Sequence, residues 1–277
     1  MPAYTAADVK KLRDLTDAPM MECKNALEEA GGDFEKAQEI LREKGKAAAS
    51  KRADRSTAAG VVAFATDGGT VAGVVVECET DFVARNEEFI ALVQDIANAF
   101  LANEPGDAPL DAQSADGTTV GRMIEAAVAK IRENIRLAKV VRLSGDEAKG
   151  TYVHHDLTKG AVVAVTGGHS GAAEVAKTLA VQVVALDAQV VRKEDLSQDV
   201  LEHEIALETQ RAINEGKTPE MAANIARGRV NKEYVKSVVL LEQVFYKDQK
   251  ISVGDYVKQE GGGATVTRFE RLAVGAN

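Results

Sequence analysis

Cysteine is scarce in this chain: Cys23 and Cys78 are the only two in 277 residues, far apart and outside any Cys-x-x-Cys. That argues against a disulfide framework and a thiolate zinc site, so both are expected as small buried hydrophobes. No stretch approaches the ~18 apolar residues that a membrane span needs. The opening Met1-Pro2-Ala3-Tyr4-Thr5 lacks the basic-then-apolar order of a signal peptide; no membrane association and a cytoplasmic location are expected. Basic charge is in deficit, 34 Lys+Arg against 43 Asp+Glu for a formal net charge of −9. Such a surface repels phosphate backbones and disfavours direct nucleic-acid binding. Histidines number four, His154, His155, His169 and His203, and neither G-x-x-x-x-G-K-[ST] nor G-x-G-x-x-G occurs. Both common phosphate cradles are therefore missing. His154-His155-Asp156 lies on or near a strand, where neighbours alternate faces and do not chelate together. No metal, no cofactor and no catalytic residue is expected.

What is present is an ordinary globular composition, 45% apolar and 28% charged, with length for roughly two domains. Residues 1–45 read as a three-helix bundle. Thr5 with Asp8 makes a capping pair ahead of Val9, Leu12 and Leu15. Thr16-Asp17-Ala18-Pro19 closes that helix, and Pro19 opens a second carrying Met20, Cys23, Ala26 and Leu27. Gly31-Gly32 stops the second, and Asp33 caps a third that carries Phe34, Ala37, Ile40 and Leu41 up to Gly45. Residues 46–55, Ala-rich and basic through Lys46, Lys51, Arg52 and Arg55, read as a linker or a solvated helical extension.

Beyond residue 56 the period changes. Val61 to Ala65 and Val71 to Val76 are β-type runs around the turn cluster Asp67-Gly68-Gly69. Phe89, Leu92, Val93, Ile96, Ala97 and Phe100 then form the stripe of an amphipathic helix, and Val120, Ile124, Val128, Ile131 and Ile135 mark another. The order recurs: Val140 to Leu143, Tyr152 to His154 and Ala161 to Val165 are strand-like, and an apolar helix runs from Ala172 to Leu186. Thr265 to Leu272 is a closing strand, and Val274 to Asn277 read as frayed. The fold class is α+β, with two halves, 56–139 and 140–277, each a small antiparallel sheet with helices on one face.

Residues 197–235 interrupt the second half. Leu201, Ile205, Ala212 and Ile213 lie on one helix, and Met221, Ala222, Ile225, Ala226 and Val230 on the next, with Gly216 and Pro219 between them. This is an antiparallel helical hairpin whose arms of about 15 residues reach roughly 22 Å. Its narrow Ala-rich seam zips two helices but buries no third face, so the hairpin is expected to project.

Two segments invite a functional reading. Gly168-His169-Ser170-Gly171 follows a buried run and opens a helix, as a nucleophile elbow does, but the last glycine of G-x-S-x-G is missing. A serine hydrolase on Ser170 would need Asp187 or Asp195 and then His203, which lies on the hairpin; Ser170 as a helix cap is the preferred alternative. Thr80-Asp81-Phe82-Val83-Ala84-Arg85-Asn86 lies between the second strand and the amphipathic helix. With Asn86 as the cap, Phe82 falls in the connection as an exposed anchor. With Asp81 as the start, Phe82 is in phase with Phe89 and buried.

Those residues carry a resemblance. The runs Met20-Met21-Glu22-Cys23-Lys24-Asn25-Ala26-Leu27 and Glu79-Thr80-Asp81-Phe82-Val83-Ala84-Arg85-Asn86, then Glu133-Asn134-Ile135, Tyr152-Val153-His154, Gly216-Lys217 and Leu241-Glu242-Gln243, occur in order along nearly the whole chain. The sequence resembles bacterial translation elongation factor Ts, the guanine nucleotide exchange factor for elongation factor Tu. The resemblance implies a bundle similar to ubiquitin-associated domains, a two-part core and a projecting coiled-coil hairpin. It implies that Met20, Met21 and Lys24 meet the partner's GTPase domain. It also implies that Thr80, Asp81, Phe82 and Val83 disturb Mg²⁺ at the partner's nucleotide site, in GDP-bound and nucleotide-free complexes, without covalent chemistry. Gln182 stands where many members have His, and Val244 where Pro is usual. The rival outside this family is an adaptor whose bundle, residues 1–45, binds ubiquitin-like or helical ligands alone.

Overall fold

A computed structural model of the chain describes residues 4–16, 18–168 and 171–276, the side chains of 46, 48 and 49 aside. The chain divides into two compact units, one of residues 1–66, 72–142 and 273–277, the other of 67–71 and 143–272.

The first unit opens with three helices, α1 (Ala6–Thr16), α2 (Met20–Glu29) and α3 (Phe34–Arg52). Thr5 and Asp8 exchange hydrogen bonds in a capping box, with the Thr5 N–H donating to Asp8 Oδ2 at 2.8 Å and the Asp8 N–H to Thr5 Oγ1 at 3.3 Å. Gly31 and Gly32, at φ 63° and 87°, turn the chain where a side chain would be strained. Asp33 then accepts from the Lys36 N–H and starts α3. Val9, Leu12, Cys23, Ala26, Leu27, Ala37 and Leu41 form the bundle core. Leu15 falls off the expected stripe and is 60% exposed, and Asp17 of the expected helix stop lies outside the described residues. Gly45 does not end α3: the Ala- and Lys-rich continuation has high helix propensity, so the helix runs on to Arg52.

Two strands follow, β1 (Ala59–Asp67) and β2 (Thr70–Cys78), turned at Gly68, and then α4 (Asp81–Ala84), α5 (Glu87–Ala102), α6 (Val120–Ile131) and β3 (Ile135–Leu143). The sheet order is β1-β2-β3. The face of α5 that carries Phe89, Val93, Ile96, Ala97 and Phe100 is fully buried, worth roughly 1.5–3 kcal/mol for each large side chain. Three expectations are corrected here. Ile135 is spaced like the next helical position after Ile131, yet it opens β3, because Arg132 adopts the left-handed conformation at φ 68° and closes α6 with its N–H on the Val128 carbonyl. Val140 to Leu143, expected to open the second half, is the end of that same strand in the first sheet. Of Val274 to Asn277, expected to fray, Asn277 lies outside the described residues, and Val274 to Ala276 return to this unit, where the Gly275 N–H donates to Glu77 at 3.1 Å.

The second unit contains β4 (Ala148–Val153), β5 (Lys159–Thr166), α7 (Ala172–Leu186), α8 (Gln198–Asn214), α9 (Pro219–Lys232), α10 (Tyr234–Val238), β6 (Val244–Phe245), β7 (Asp248–Ser252), α11 (Val253–Glu260) and β8 (Thr265–Ala273). Its sheet order is β4-β5-β8, with β4 antiparallel to β5 from Ala148↔Val165 to Val153↔Gly160; β6 and β7 form a separate antiparallel ribbon. Ala161, Val163 and Val165 of β5 bury against Val175, Leu179 and Val183 of α7. The helix lies so close to β4 that a Cβ on Gly150 would sit 2.1 Å from the Lys177 nitrogen. Only glycine fits there. α8 and α9 form a hairpin with Ala212, Ala222, Ala226 and Val230 in its seam. At its base Leu201 and Ile205 pack against a cluster of Val230, Val235, Val238 and Val239.

Candidate functional site

The Thr80–Asn86 connection is built from its ends inward. β2 stops at Cys78, whose buried sulfur donates to the Thr80 carbonyl at 3.3 Å. Burial first, and then the negative charge of Glu133, push the Cys78 thiol up to about 12, so it stays protonated. The next two backbone N–H groups, of Glu79 and Thr80, both donate to Glu133 Oε2, at 3.0 and 3.1 Å. The Thr80 hydroxyl donates to Glu133 Oε1 at 2.6 Å and accepts from the Val83 N–H at 3.4 Å. Thr80 is thus the cap of α4. In return, Glu79 Oε1 accepts the Asn134 N–H at 2.7 Å and pairs with Arg55 at 3.3 Å.

α4 is a single turn of four residues. Arg85 ends it and pairs with Asp81 at 3.2 Å. Asn86 starts α5 afresh, its side-chain oxygen accepting from the Glu88 and Phe89 N–H groups. This break decides the position of Phe82. The buried-phase alternative required one continuous helix from Asp81; with two separate helices, Phe82 leaves the stripe and stands 83% exposed. Asp81 is exposed as well, and Val83 is half-buried.

The other expected contact surface lies on the outer face of α2, where Met20 and Met21 are 43% and 61% exposed and Lys24 is exposed. The segment between α6 and β3 reaches both places. Arg132 pairs with Glu22 of α2, Glu133 holds the Thr80 connection, and the buried Asn134 side chain donates to the Ala53 and Arg55 carbonyls at 3.2 and 2.8 Å. Glu133 and Asn134 enter the sequence reading only within the run Glu133-Asn134-Ile135 that carries the resemblance, with no role of their own. The available signal was a polar pair interrupting the apolar spacing between Ile131 and Ile135.

The rival chemistry finds little support among the described residues. His169 and Ser170 lie outside them. Asp187 pairs with Arg271 at 2.9 Å, Asp195 accepts the Arg192 N–H at 2.9 Å, and His203 is exposed on α8. β4 ends at Val153, so His154 and His155 leave the strand and their rings meet at 4.3 Å, where opposite faces were expected. Among the described residues, no group of three or more His, Cys, Asp or Glu side chains is placed to hold a metal, and no helix is long and apolar enough to cross a membrane.

In the second unit Gln182 is fully buried on α7. Its amide donates to Gln243 Oε1 at 3.0 Å and to the Val244 carbonyl at 3.1 Å, and its oxygen accepts the Tyr246 N–H at 3.0 Å. Gln243 in turn donates to the Leu186 and Ser237 carbonyls. The side chain of Gln182 is consumed inside the unit and offers no surface for recognition.

Residues 79–276 match the family model described as Elongation factor TS. The chain is 44% identical over 284 residues to elongation factor Ts of Nocardia farcinica (strain IFM 10152), covering 99% of each chain. It is 44% identical over 287 residues to that of Rhodococcus opacus (strain B4), covering all of both. To that of Aquifex aeolicus (strain VF5) it is 38% identical over 286 residues, covering 99% of this chain and 98% of the other.

Proposed function

The chain belongs to the elongation factor Ts family, and from that premise we propose that it promotes GDP release from elongation factor Tu in the cytoplasm, through the exposed Phe82. In this reading Thr80, Asp81, Phe82 and Val83 enter the partner's nucleotide site, where the ring wedges between side chains and displaces ligands of the bound Mg²⁺. Met20, Met21 and Lys24 meet the GTPase domain, the second unit grips another domain, and α8 with α9 projects as a coiled-coil arm. The bundle serves as a ubiquitin-associated-like module of this factor and does not act as a separate adaptor. The partner is bound in its GDP-bound and nucleotide-free states, without nucleic acid or membrane.

The physical basis is differential binding. Mg²⁺ demands near-octahedral oxygen geometry and bridges nucleotide phosphates to the GTPase, so displacing its ligands weakens GDP with no bond made or broken. Linkage makes the effect reciprocal: GDP weakens the factor by as much as the factor weakens GDP, so returning nucleotide releases it for another round.

The observation that carries the reading is Phe82, 83% exposed on a turn anchored at both ends. A ring held in water forgoes about 1.5–3 kcal/mol of burial, which is recovered when a partner pocket covers it. The test is stopped-flow release of fluorescent GDP from purified factor Tu. Phe82→Ala should slow stimulated release by about tenfold or more, the scale of losing an interface anchor, with the melting temperature unchanged. A release rate equal to that of the unaltered protein would refute the reading.

A further inference from the structure

A helix cap usually closes within a few residues: the cap side chain accepts from the third helical N–H, and a Glu or Gln at that third position returns the bond to the cap's own N–H. In α4 the third position is Val83, which has nothing to return. The carboxylate comes from Glu133, 53 residues away, taking the Thr80 N–H, the Thr80 hydroxyl and the Glu79 N–H. A single turn of four residues is far too short to persist alone in water. The orientation of Phe82 therefore depends on a side chain that stands outside its own segment. The neighbours of Glu133 extend the same construction, since Arg132 pairs with Glu22 beside Met21 on α2 and Asn134 ties down the chain just after α3.

We infer that Glu133 is a positioning residue for nucleotide exchange: it supplies the missing half of the α4 cap and so fixes Phe82 in its presented orientation, in register with the Met20, Met21 and Lys24 face of α2. This rests on the reading of Phe82 as the group that acts at the partner's nucleotide site. A carboxylate suits the task because it is acceptor-only and meets three donors with two oxygens. The isosteric amide would turn an NH₂ toward one or more of them.

The test uses the full chain with factor Tu loaded with fluorescent GDP and separates the saturating release rate from the factor concentration giving half of it. Glu133→Gln should lower the saturating rate about tenfold, the kind of loss that follows a misplaced group, while the half-saturating concentration moves by less than about threefold. Amide hydrogen exchange at Glu79 and Thr80 should quicken in the same variant, with that of the bundle core unchanged. Thr80→Val, which deletes the hydroxyl's bonds to Glu133 and to the Val83 N–H, should reproduce the rate loss. If Phe82→Ala slows release but Glu133→Gln and Thr80→Val do not, the positioning role is overturned and the Phe82 reading stands. If Phe82→Ala itself is without effect, both fall. A loss of rate that only tracks a lowered melting temperature and a matching loss of affinity would make Glu133 structural and overturn the inference.

Discussion

Each unit contains a polar junction that fixes a connection to its neighbours, and the two are built differently. In the second, two neutral amides, Gln182 and Gln243, are sealed from water, and their bonds end on the Val244, Leu186 and Ser237 carbonyls and the Tyr246 N–H. In the first, the carboxylates of Glu133 and Glu79 are half-buried, Glu133 accepting the Glu79 and Thr80 N–H groups and Glu79 the Asn134 N–H, and their product is an exposed ring. Burial alone would rank Gln182 as the more important residue. The direction of the bonds reverses that ranking for function: one junction closes on its own core, the other holds something out.

The largest stability effect is expected at the sealed junction. Gln182→Ala leaves the Tyr246 N–H and the Gln243 oxygen without their partner and opens a cavity, so it should cost about 3–4 kcal/mol by chemical denaturation. A cost under about 1 kcal/mol would mean that the amide pair is dispensable and the contrast false. Glu133→Gln, with solvent able to satisfy part of what is lost, should cost only about 1–2 kcal/mol. Arg132→Gly sharpens the comparison further. It removes an exposed ion pair with Glu22, worth about 0–1 kcal/mol, and relieves a left-handed residue at φ 68°, worth a similar amount. Its melting temperature should barely move, so any slowing of GDP release would be a positioning effect.

The smallest effect expected is in acid. The amide pair carries no proton to gain, so acid sensitivity of the second unit falls on groups such as Glu147, whose carboxyl is held below the usual range by the Thr267 hydroxyl at 2.7 Å and, after that, by Arg268. A lowered folded value means that its stabilisation is complete above the ordinary carboxylate range and disappears as pH falls through the folded value. Glu147→Gln should slightly lower stability at neutral pH and leave it nearly unchanged in acid, which flattens the acid limb of a stability–pH curve.

Where a signal was local, the sequence was legible. The Thr5–Asp8 box, the Gly31-Gly32 turn, the Asp33 and Asn86 caps and the buried face of α5 follow from spacing and capping chemistry within a few residues. The misreadings arose where distant partners decided. Ile135 obeys a helical repeat, but strand pairing with β2 and the Arg132 stop claim it. Phe82 fitted two phases equally until the chain was seen to break at Arg85 and Asn86. Glu133 could not be found by periodicity, because its meaning lies in a backbone more than 50 residues earlier.

The Cys78 sulfur has a practical consequence. It sits under Thr80, protonated and shielded, so alkylating reagents should ignore it until the turn above lifts away. Its labelling rate is then a built-in clock for the opening of that turn. Cys23, whose thiol is also raised by burial within the bundle, serves as a second clock in the same sample, without any foreign probe.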